Sequence, residues 1–266
     1  MKTKHIILSI ILLMATTASA QTPKTGKAAS WLNASAGFNI ADCYDNGTIP
    51  FAYLGKGANL GLGATFEWRR CHIQLDERLF FNSLSELSSF AITTDTRLEF
   101  LYRVHDSQNN RFHIWVGGDF QGYMDIKEIY ELMNASMGIT LFGNFCLASM
   151  VQFDFASIRG GTHPLLTLHG KLVIPVAGFA IRPGFAYMDN YTNDLNIANT
   201  LLSDYELFPK ALPGICTDMG LTFNLLNGNR IGLSYRWDYL STGRKGTYRY
   251  DNALHSLNLN FMFKLN

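Results

Sequence analysis

A histidine within reach of a serine is the first chemistry to look for, because an imidazole that takes the hydroxyl proton creates a nucleophile. One such coincidence is present: His255, expected to face outward near the top of the last strand, with Ser241 across the preceding connection. His255 is therefore the weak catalytic candidate, although a lone outward imidazole serves equally as an anchor. The four cysteines, Cys43, Cys71, Cys146 and Cys216, lie far apart, with no CxxC pair and no histidine at zinc-ligand spacing, so no metal centre is expected. An oxidising compartment permits disulfides, and Cys43 with Cys216, expected near one end of the molecule, is the favoured pair. Gly61-Leu62-Gly63 belongs to an alternating stretch with no helix after it, which argues against a phosphate-cradling loop. No cofactor is implied.

Far more numerous are charges set two residues apart. Glu67 and Arg69, Asp76 and Arg78, Asp95, Arg97 and Glu99, and Arg236 and Asp238 each share one face of an extended chain, whose side chains alternate with period two. Arg103, Asp119, Asp154, Lys171, Arg182, Asp218 and Lys264 fall on the same face, and His72, His113 and His169 join it as hydrogen-bonding members. His105 and His163 fall in a turn and a loop. Carboxylates interleaved with guanidinium groups form either an interlocked ion-pair network or the lining of a wet, selective passage. The sequence leaves both open.

Strands must position these faces. From Trp31 on, Leu32, Ala34, Ala36, Phe38 and Ile40 alternate with Asn33, Ser35, Gly37 and Asn39, and within Ala58 to Arg69 the apolar Leu60, Leu62, Ala64, Phe66 and Trp68 oppose polar or small residues. The pattern continues through Cys71 to Phe81, Thr93 to Val104, Phe112 to Met124, Ala135 to Phe142 and Phe145 to Ala156. Five more segments begin at Leu165, Phe179, Ile215, Arg230 and Leu254, which predicts twelve strands. Most approach the roughly 9 to 11 residues that a tilted strand needs to cross a membrane.

The connections alternate between two lengths. Arg69 to Cys71, Val104 to Arg111, Phe142 to Phe145, Pro175 to Gly178 and Leu226 to Arg230 are short, and Gly143-Asn144 and Asn227-Gly228 suit tight turns. Ala41 to Gly57, Asn82 to Ile92, Asp125 to Asn134, Ser157 to Pro164, Asp189 to Gly214 and Ser241 to Ala253 are longer. Short periplasmic turns and long extracellular loops of a closed barrel show this asymmetry. In the long class Ile126, Ile129, Tyr130 and Met133 recur at helical spacing, and Leu195, Ile197, Leu201, Leu202, Tyr205 and Phe208 are apolar enough to suggest a plug or a rim-covering helix.

Which face carries the charges separates a membrane barrel from a soluble β-sandwich. Among charged strand residues only Glu77 falls on the apolar side, and a bulge within Asp76-Glu77-Arg78 would return it to the lumen. A basic residue facing mid-bilayer costs roughly 2 to 4 kcal/mol, so this segregation is what a lipid-facing wall requires. Aromatics such as Phe66, Trp68, Tyr102, Trp237, Tyr239, Phe261 and Phe263 gather near strand ends, as interfacial girdles do. Pro183, inside an expected strand, predicts a second bulge.

The N-terminus reads as an export signal: Lys2, Lys4 and His5, the apolar run Ile6 to Met14, then Ala18-Ser19-Ala20, with cleavage expected after Ala20. Residues 1–20 are thus a signal peptide and 21–266 the barrel. Removing Lys2 and Lys4 leaves 20 basic against 21 acidic residues, which does not favour nucleic acid as a partner.

At the other end Leu257, Leu259, Phe261, Phe263 and Leu265 alternate with Ser256, Asn258, Asn260, Met262 and Lys264. This resembles the terminal strand recognised by the bacterial barrel-assembly machinery, although the chain ends Lys264-Leu265-Asn266 without the usual final aromatic. As a whole, Gln21 to Asn266 resembles the outer-membrane β-barrel proteins common in Bacteroidetes. The resemblance implies fold and location: the outer membrane, its lipid as surroundings and the assembly machinery as a transient partner.

Function stays divided. A narrow channel or transporter for small solutes, a closed structural barrel, a lipid-modifying enzyme and a barrel that docks a surface or secretion partner all fit twelve strands. Gln21 to Ala29 is too short for a plug domain of the energy-coupled transporters, and no signature like that of the outer-membrane phospholipases surrounds His255. The register also predicts that a charge at Leu62, Leu98 or Leu233 impairs assembly whereas one at Ser35 or Thr65 is tolerated.

Overall fold

The computed structural model describes residues 28–84, 89–108, 111–130, 137–155, 164–183, 205–207 and 210–265. The expected signal peptide and the apolar stretch from Leu195 to Leu202 lie outside them. Eleven strands run through the described residues: β1 (Ala29–Asp45), β2 (Ile49–Trp68), β3 (Cys71–Leu84), β4 (Ser89–Asp106), β5 (Phe112–Ile129), β6 (Met137–Phe155), β7 (Leu166–Pro183), β8 (Tyr205–Leu207), β9 (Gly214–Asn224), β10 (Arg230–Ser241) and β11 (Tyr250–Lys264).

From β1 to β7 each strand pairs antiparallel with its sequence neighbour. β7 continues to β9, β10 and β11, and β11 returns to β1 in a register running from Trp31 opposite Lys264 to Asp45 opposite Tyr250. Ten strands thus close on themselves, and closure removes the sheet edges that would invite aggregation. The short β8 lies beside the top of β7, opposite Ile181, Arg182 and Pro183.

The barrel therefore has ten strands, not the predicted twelve, because β6 and β7 each run through an expected turn. Gly143 lies opposite Phe179, whose ring covers it so closely that a Cβ on Gly143 would stand 2.5 Å from the ring tip. An aromatic neighbour of this kind makes mid-strand glycine tolerable. Asn144 is fully buried and donates to Gln121 Oε1 at 3.2 Å. Pro175 cannot donate to the ladder, and the register shifts there, Phe145 facing Ala177 and Cys146 facing Pro175, so a bulge at Val176 absorbs it. The bulge predicted at Pro183 is absent; that residue ends β7.

Fusing these segments moves a connection. The chain leaves β6 at Phe155 and enters β7 at Leu166 from the end that also holds Ala29 and Lys264, so the Ser157 to Pro164 segment belongs to the short-turn end, opposite to expectation. Three other predicted loops are partly or largely strand, Asn82 to Ile92 among them through the ends of β3 and β4. Ala41 to Gly57 contracts to a turn at Asn46, Gly47 and Thr48, where the Asp45 carboxylate accepts from the Gly47 N–H at 3.1 Å. Ile126 and Ile129 belong to β5 rather than to a helix, and Met133 lies outside the described residues. The tight turns at Arg69-Arg70 and at Asn227-Gly228 are as predicted, with φ of 55° at Arg69 and 85° at Gly228.

Inside and outside are sharply different. Leu60, Leu62, Leu98, Leu147, Leu233 and Leu257 are exposed on the outer wall, while Asp95, Arg97, Glu99, Asp119, Arg236 and Asp238 are buried within. On β2 the apolar belt runs from Ala58 to Trp68, between exposed Lys56 and the Arg69 turn. At ~3.3 Å per residue and a tilt of ~40°, its height is roughly 25 Å, that of an outer-membrane apolar band. Glu77 stays on the outer wall: its register with Leu62 on one side and Thr96 on the other is unbroken, so the bulge expected there is also absent.

Candidate functional site: the charged interior

At mid-height two arginines and three aspartates lock together. Arg97 of β4 meets Asp95 at 3.1 Å, Asp119 of β5 at 3.2 Å and Asp238 of β10 at 2.8 Å. Arg236 of β10 meets Asp238 at 2.6 Å and pairs with Asp95. β4 and β10 stand opposite each other in the ring, so these contacts cross the lumen. Gln121 donates to Asp95 Oδ1 at 2.8 Å and in turn accepts from Asn144, extending the cluster round the wall to β6. Buried charges cost several kcal/mol each to desolvate, and only a network that gives each one an opposite charge and further hydrogen bonds offsets that. Alternation puts these residues inside, and their spacing of two stacks them one above the other.

A second cluster fills the end opposite the termini. Asp45, at the tip of β1, meets Arg182 of β7 at 2.6 Å and Lys127 of β5 at 3.3 Å, and Lys127 reaches Asp125 at 2.5 Å. The Tyr250 hydroxyl donates to Asp125 Oδ2 at 2.8 Å, and Thr93 donates to Asp125 Oδ1 at the same distance. The Lys127 ammonium lies 4.4 Å from the centre of the Tyr250 ring, close enough for a cation–π contact. Tyr53, Tyr123, Phe142 and Leu240 pack about these groups. Beside Lys127 and Asp125 is a small cavity, also lined by Cys43, Tyr53, Thr93 and Asn252.

Nearer the termini the contacts loosen and involve histidine. Glu67 meets Arg230 at 3.1 Å and His72 at 3.6 Å, Lys171 of β7 crosses to Glu99 of β4 at 2.9 Å, and His169 faces Asp218 at 3.1 Å. His113 lies between Asp106, at 2.6 Å, and Asp154, at 3.4 Å. Arg230 stacks 3.9 Å over the Trp31 ring, whose indole donates to Gly228 O at 3.1 Å.

The lumen residues expected from the sequence lie within these contacts with three exceptions, one of them Lys264, which is exposed at the end of β11 beside Gly228. Arg69 occupies the turn rather than the lumen and lies over Trp68 at 5.2 Å, and Arg103 sits at the lower mouth, 3.2 Å from Asp106 and over Trp115. Asp76 and Arg78 pair with each other at 2.7 Å. Asp45, Asp125 and Lys127, which fall in loops expected from the sequence, build the upper cluster. The signal for Asp125 and Lys127 is Asp125-Ile126-Lys127, which continues the alternation past Met124 by three residues.

The structure does not bring Ser241 to His255. Ser241 lies opposite Asp251 and donates to it at 2.6 Å, while His255 lies opposite Trp237, four residues or about 13 Å further down the strand. His255 Nδ1 instead hydrogen-bonds the Tyr235 hydroxyl at 2.6 Å, and its ring stacks on Trp237. Such an aromatic cluster on the outer wall is an interfacial anchor. The Cys43–Cys216 disulfide is also overturned. All four cysteines are free, Cys43 packing in the upper cluster and Cys216 beside Cys146 and Val173. Among the described residues no group of His, Cys, Asp and Glu is arranged to hold a metal.

No protein-family model and no curated protein sequence matches the chain. Solved structures of similar fold include Neisserial surface protein A, at 9% identity over 89% of this chain and 98% of that one, with a TM-score of 0.42. The outer membrane protease OmpT from Escherichia coli is 8% identical over 92% and 98%, with a TM-score of 0.49. The translocator domain of the autotransporter NalP from Neisseria meningitidis is 12% identical over 98% and 95%, with a TM-score of 0.37. At such identities and scores, none of these bears on the chemistry of this chain.

Proposed function

We propose that the chain is an integral outer-membrane barrel with a sealed lumen, which acts through its membrane wall and outer rim rather than as a passage. The observation that carries this reading is the mid-height cluster: Arg97 to Asp238 and Arg236 to Asp95 tie opposite walls together. Ten strands make an interior only slightly wider than the eight-stranded barrels that side chains fill. The apolar belt, the outward leucines and the interfacial Tyr235, Trp237 and His255 support the membrane setting, as does the resemblance to barrels common in Bacteroidetes. Above the belt β1 and β2 rise as paired strands to Asp45 and Ile49, and the Asp45, Asp125, Lys127 and Arg182 cluster braces that extension from within. A rigid extension of this kind is suited to presenting connections at the cell surface.

Vesicles carrying the refolded protein, tested for swelling in a small sugar, separate this reading from a general diffusion channel. Swelling no faster than in empty vesicles is expected. Rapid swelling would show an open lumen.

A further inference from the structure

The rim at the end that holds the termini gathers arginine at one corner. Arg69 and Arg70 form the two-residue turn between β2 and β3, Arg103 lies near the end of β4, and Arg111 stands just before β5. Arg103 ties the first three together: its guanidinium donates to Arg69 O at 3.2 Å and its backbone N–H to Arg70 O at 2.8 Å. Arg69, Arg70 and Arg111 are exposed. Among the described residues neither Arg69 nor Arg70 has an ion-pair partner. The nearby carboxylates are already taken, Asp106 by His113 at 2.6 Å and Arg103 at 3.2 Å, Glu67 by Arg230 and His72, and Asp154 by His113. Turn formation alone does not call for arginine here, because Arg69 holds a φ of 55°, a region that glycine enters with less strain.

This corner adjoins the edge of the apolar belt. Trp68, the last belt residue of β2, lies opposite Cys71, which lies opposite Tyr102 of β4, and the Arg69 guanidinium stands 5.2 Å from the centre of the Trp68 ring. Phe66 and Tyr102 are exposed on the same outer wall. A residue just past the belt stands in the headgroup layer, which adds about 5 to 7 Å to each side of the hydrocarbon core. Cations gathered without a free carboxylate attract an anion, and the planar guanidinium groups of arginine suit the oxygens of a phosphate. We propose that Arg69 and Arg70, in a turn held by Arg103, form a site for the phosphodiester headgroup of an anionic phospholipid. The inference rests on the membrane-barrel reading above. Continuity of the two surfaces selects a lipid: an acidic headgroup answers the arginines while its acyl chains cover Phe66, Trp68 and Tyr102. A soluble anion would leave that wall bare. The excess of cations over carboxylates selects a lipid of net negative charge over a zwitterionic one.

The test uses the full mature chain in phosphatidylcholine vesicles that carry equal fractions of either brominated phosphatidylglycerol or brominated phosphatidylcholine, with a heat-shift gel confirming folding. Bromine quenches a tryptophan that the acyl chain touches, and the quenching lost in Trp68→Phe isolates the signal of Trp68. Brominated phosphatidylglycerol is expected to associate at Trp68 at least about threefold more strongly than brominated phosphatidylcholine. The preference is expected to vanish in Arg69→Gln/Arg70→Gln and to survive in Arg244→Gln/Lys245→Gln at the opposite rim. Should the first double variant fail to fold, Arg70→Gln alone, which leaves Arg69 in place, is expected to lower the preference. Equal quenching by the two lipids in the wild type would overturn the proposal, as would a preference that the Arg69 and Arg70 substitutions leave unchanged or that the Arg244 and Lys245 substitutions also abolish. Displacement by inorganic phosphate at constant ionic strength overturns the lipid as occupant. A chain that fails to insert overturns the membrane reading and the lipid site with it.

Discussion

Arg97 of β4 and Asp238 of β10 meet at 2.8 Å, although four strands lie between them in either direction round the wall. The contact spans the barrel. With Arg236 reaching back from β10 to Asp95 of β4, it makes the interior a cross-braced solid at mid-height. The same charges on a wider ring would line a wet passage, and the ten-strand ring supports the sealed lumen proposed above.

Removing Arg97 leaves Asp119 as a buried carboxylate without its arginine, while Asp95 and Asp238 keep only Arg236. Arg97→Met deprives Asp95, Asp119 and Asp238 of their shared cation and should cost about 3 to 5 kcal/mol. The urea midpoint, followed by the loss of heat-modifiable migration on gels, is expected to fall accordingly. An unchanged midpoint would mean that the cluster is hydrated and weakly coupled.

Outer-wall leucines answer to lipid instead. Lysine at Leu62, Leu98 or Leu233, each about half exposed or more on that wall, should cost roughly 2 to 4 kcal/mol and lower the yield of assembled barrel in vesicles. The tolerance that alternation alone predicts at Thr65 is revised. Its side chain is buried and accepts a hydrogen bond from Asn33 at 2.7 Å, so Thr65→Lys overfills the interior and should also lower the yield.

Asn144 distinguishes ten strands from twelve. As a turn residue it would accept lysine without loss. As a fully buried lumen residue bonded to Gln121, it should not, and Asn144→Lys is expected to cost at least about 1 kcal/mol of stability, read as a lower urea midpoint. Wild-type stability in that variant would restore the turn.

The cysteines give a chemical check. Folded protein treated with a membrane-impermeant maleimide under non-reducing conditions should leave Cys43, Cys146 and Cys216 unlabelled, because all three are buried. After denaturation without reductant, all four thiols should react. Reaction of Cys71 and Cys146 alone would establish the Cys43–Cys216 disulfide.

Period-two alternation made the wall legible. Leu60, Leu62, Asp95, Arg97, Arg236 and Asp238 all point the way their parity says, because a pleated strand offers its side chains only two directions. Strand number was not legible. Gly143-Asn144 has the local chemistry of a turn, and what overrides it is nonlocal: the Phe179 ring over the glycine and Gln121 beside the asparagine. The pairing of charges across the lumen was equally hidden, since Asp95 and Arg236 are 141 residues apart and meet only because the ring closes at ten. Glu77 shows the reverse case. Parity placed it on the lipid side, and the bulge invoked to return it to the lumen proved unnecessary.

The sealed lumen is tested most directly by single-channel recording of the mature chain in a planar bilayer, beside a variant in which Arg97 and Arg236 are both replaced by alanine. The wild type is expected to insert without conductance steps, and the double variant, if it folds by heat-shift, to show them. Steady ion-selective steps from the wild type, unchanged by the two substitutions, would contradict the cross-lumen brace as the barrier.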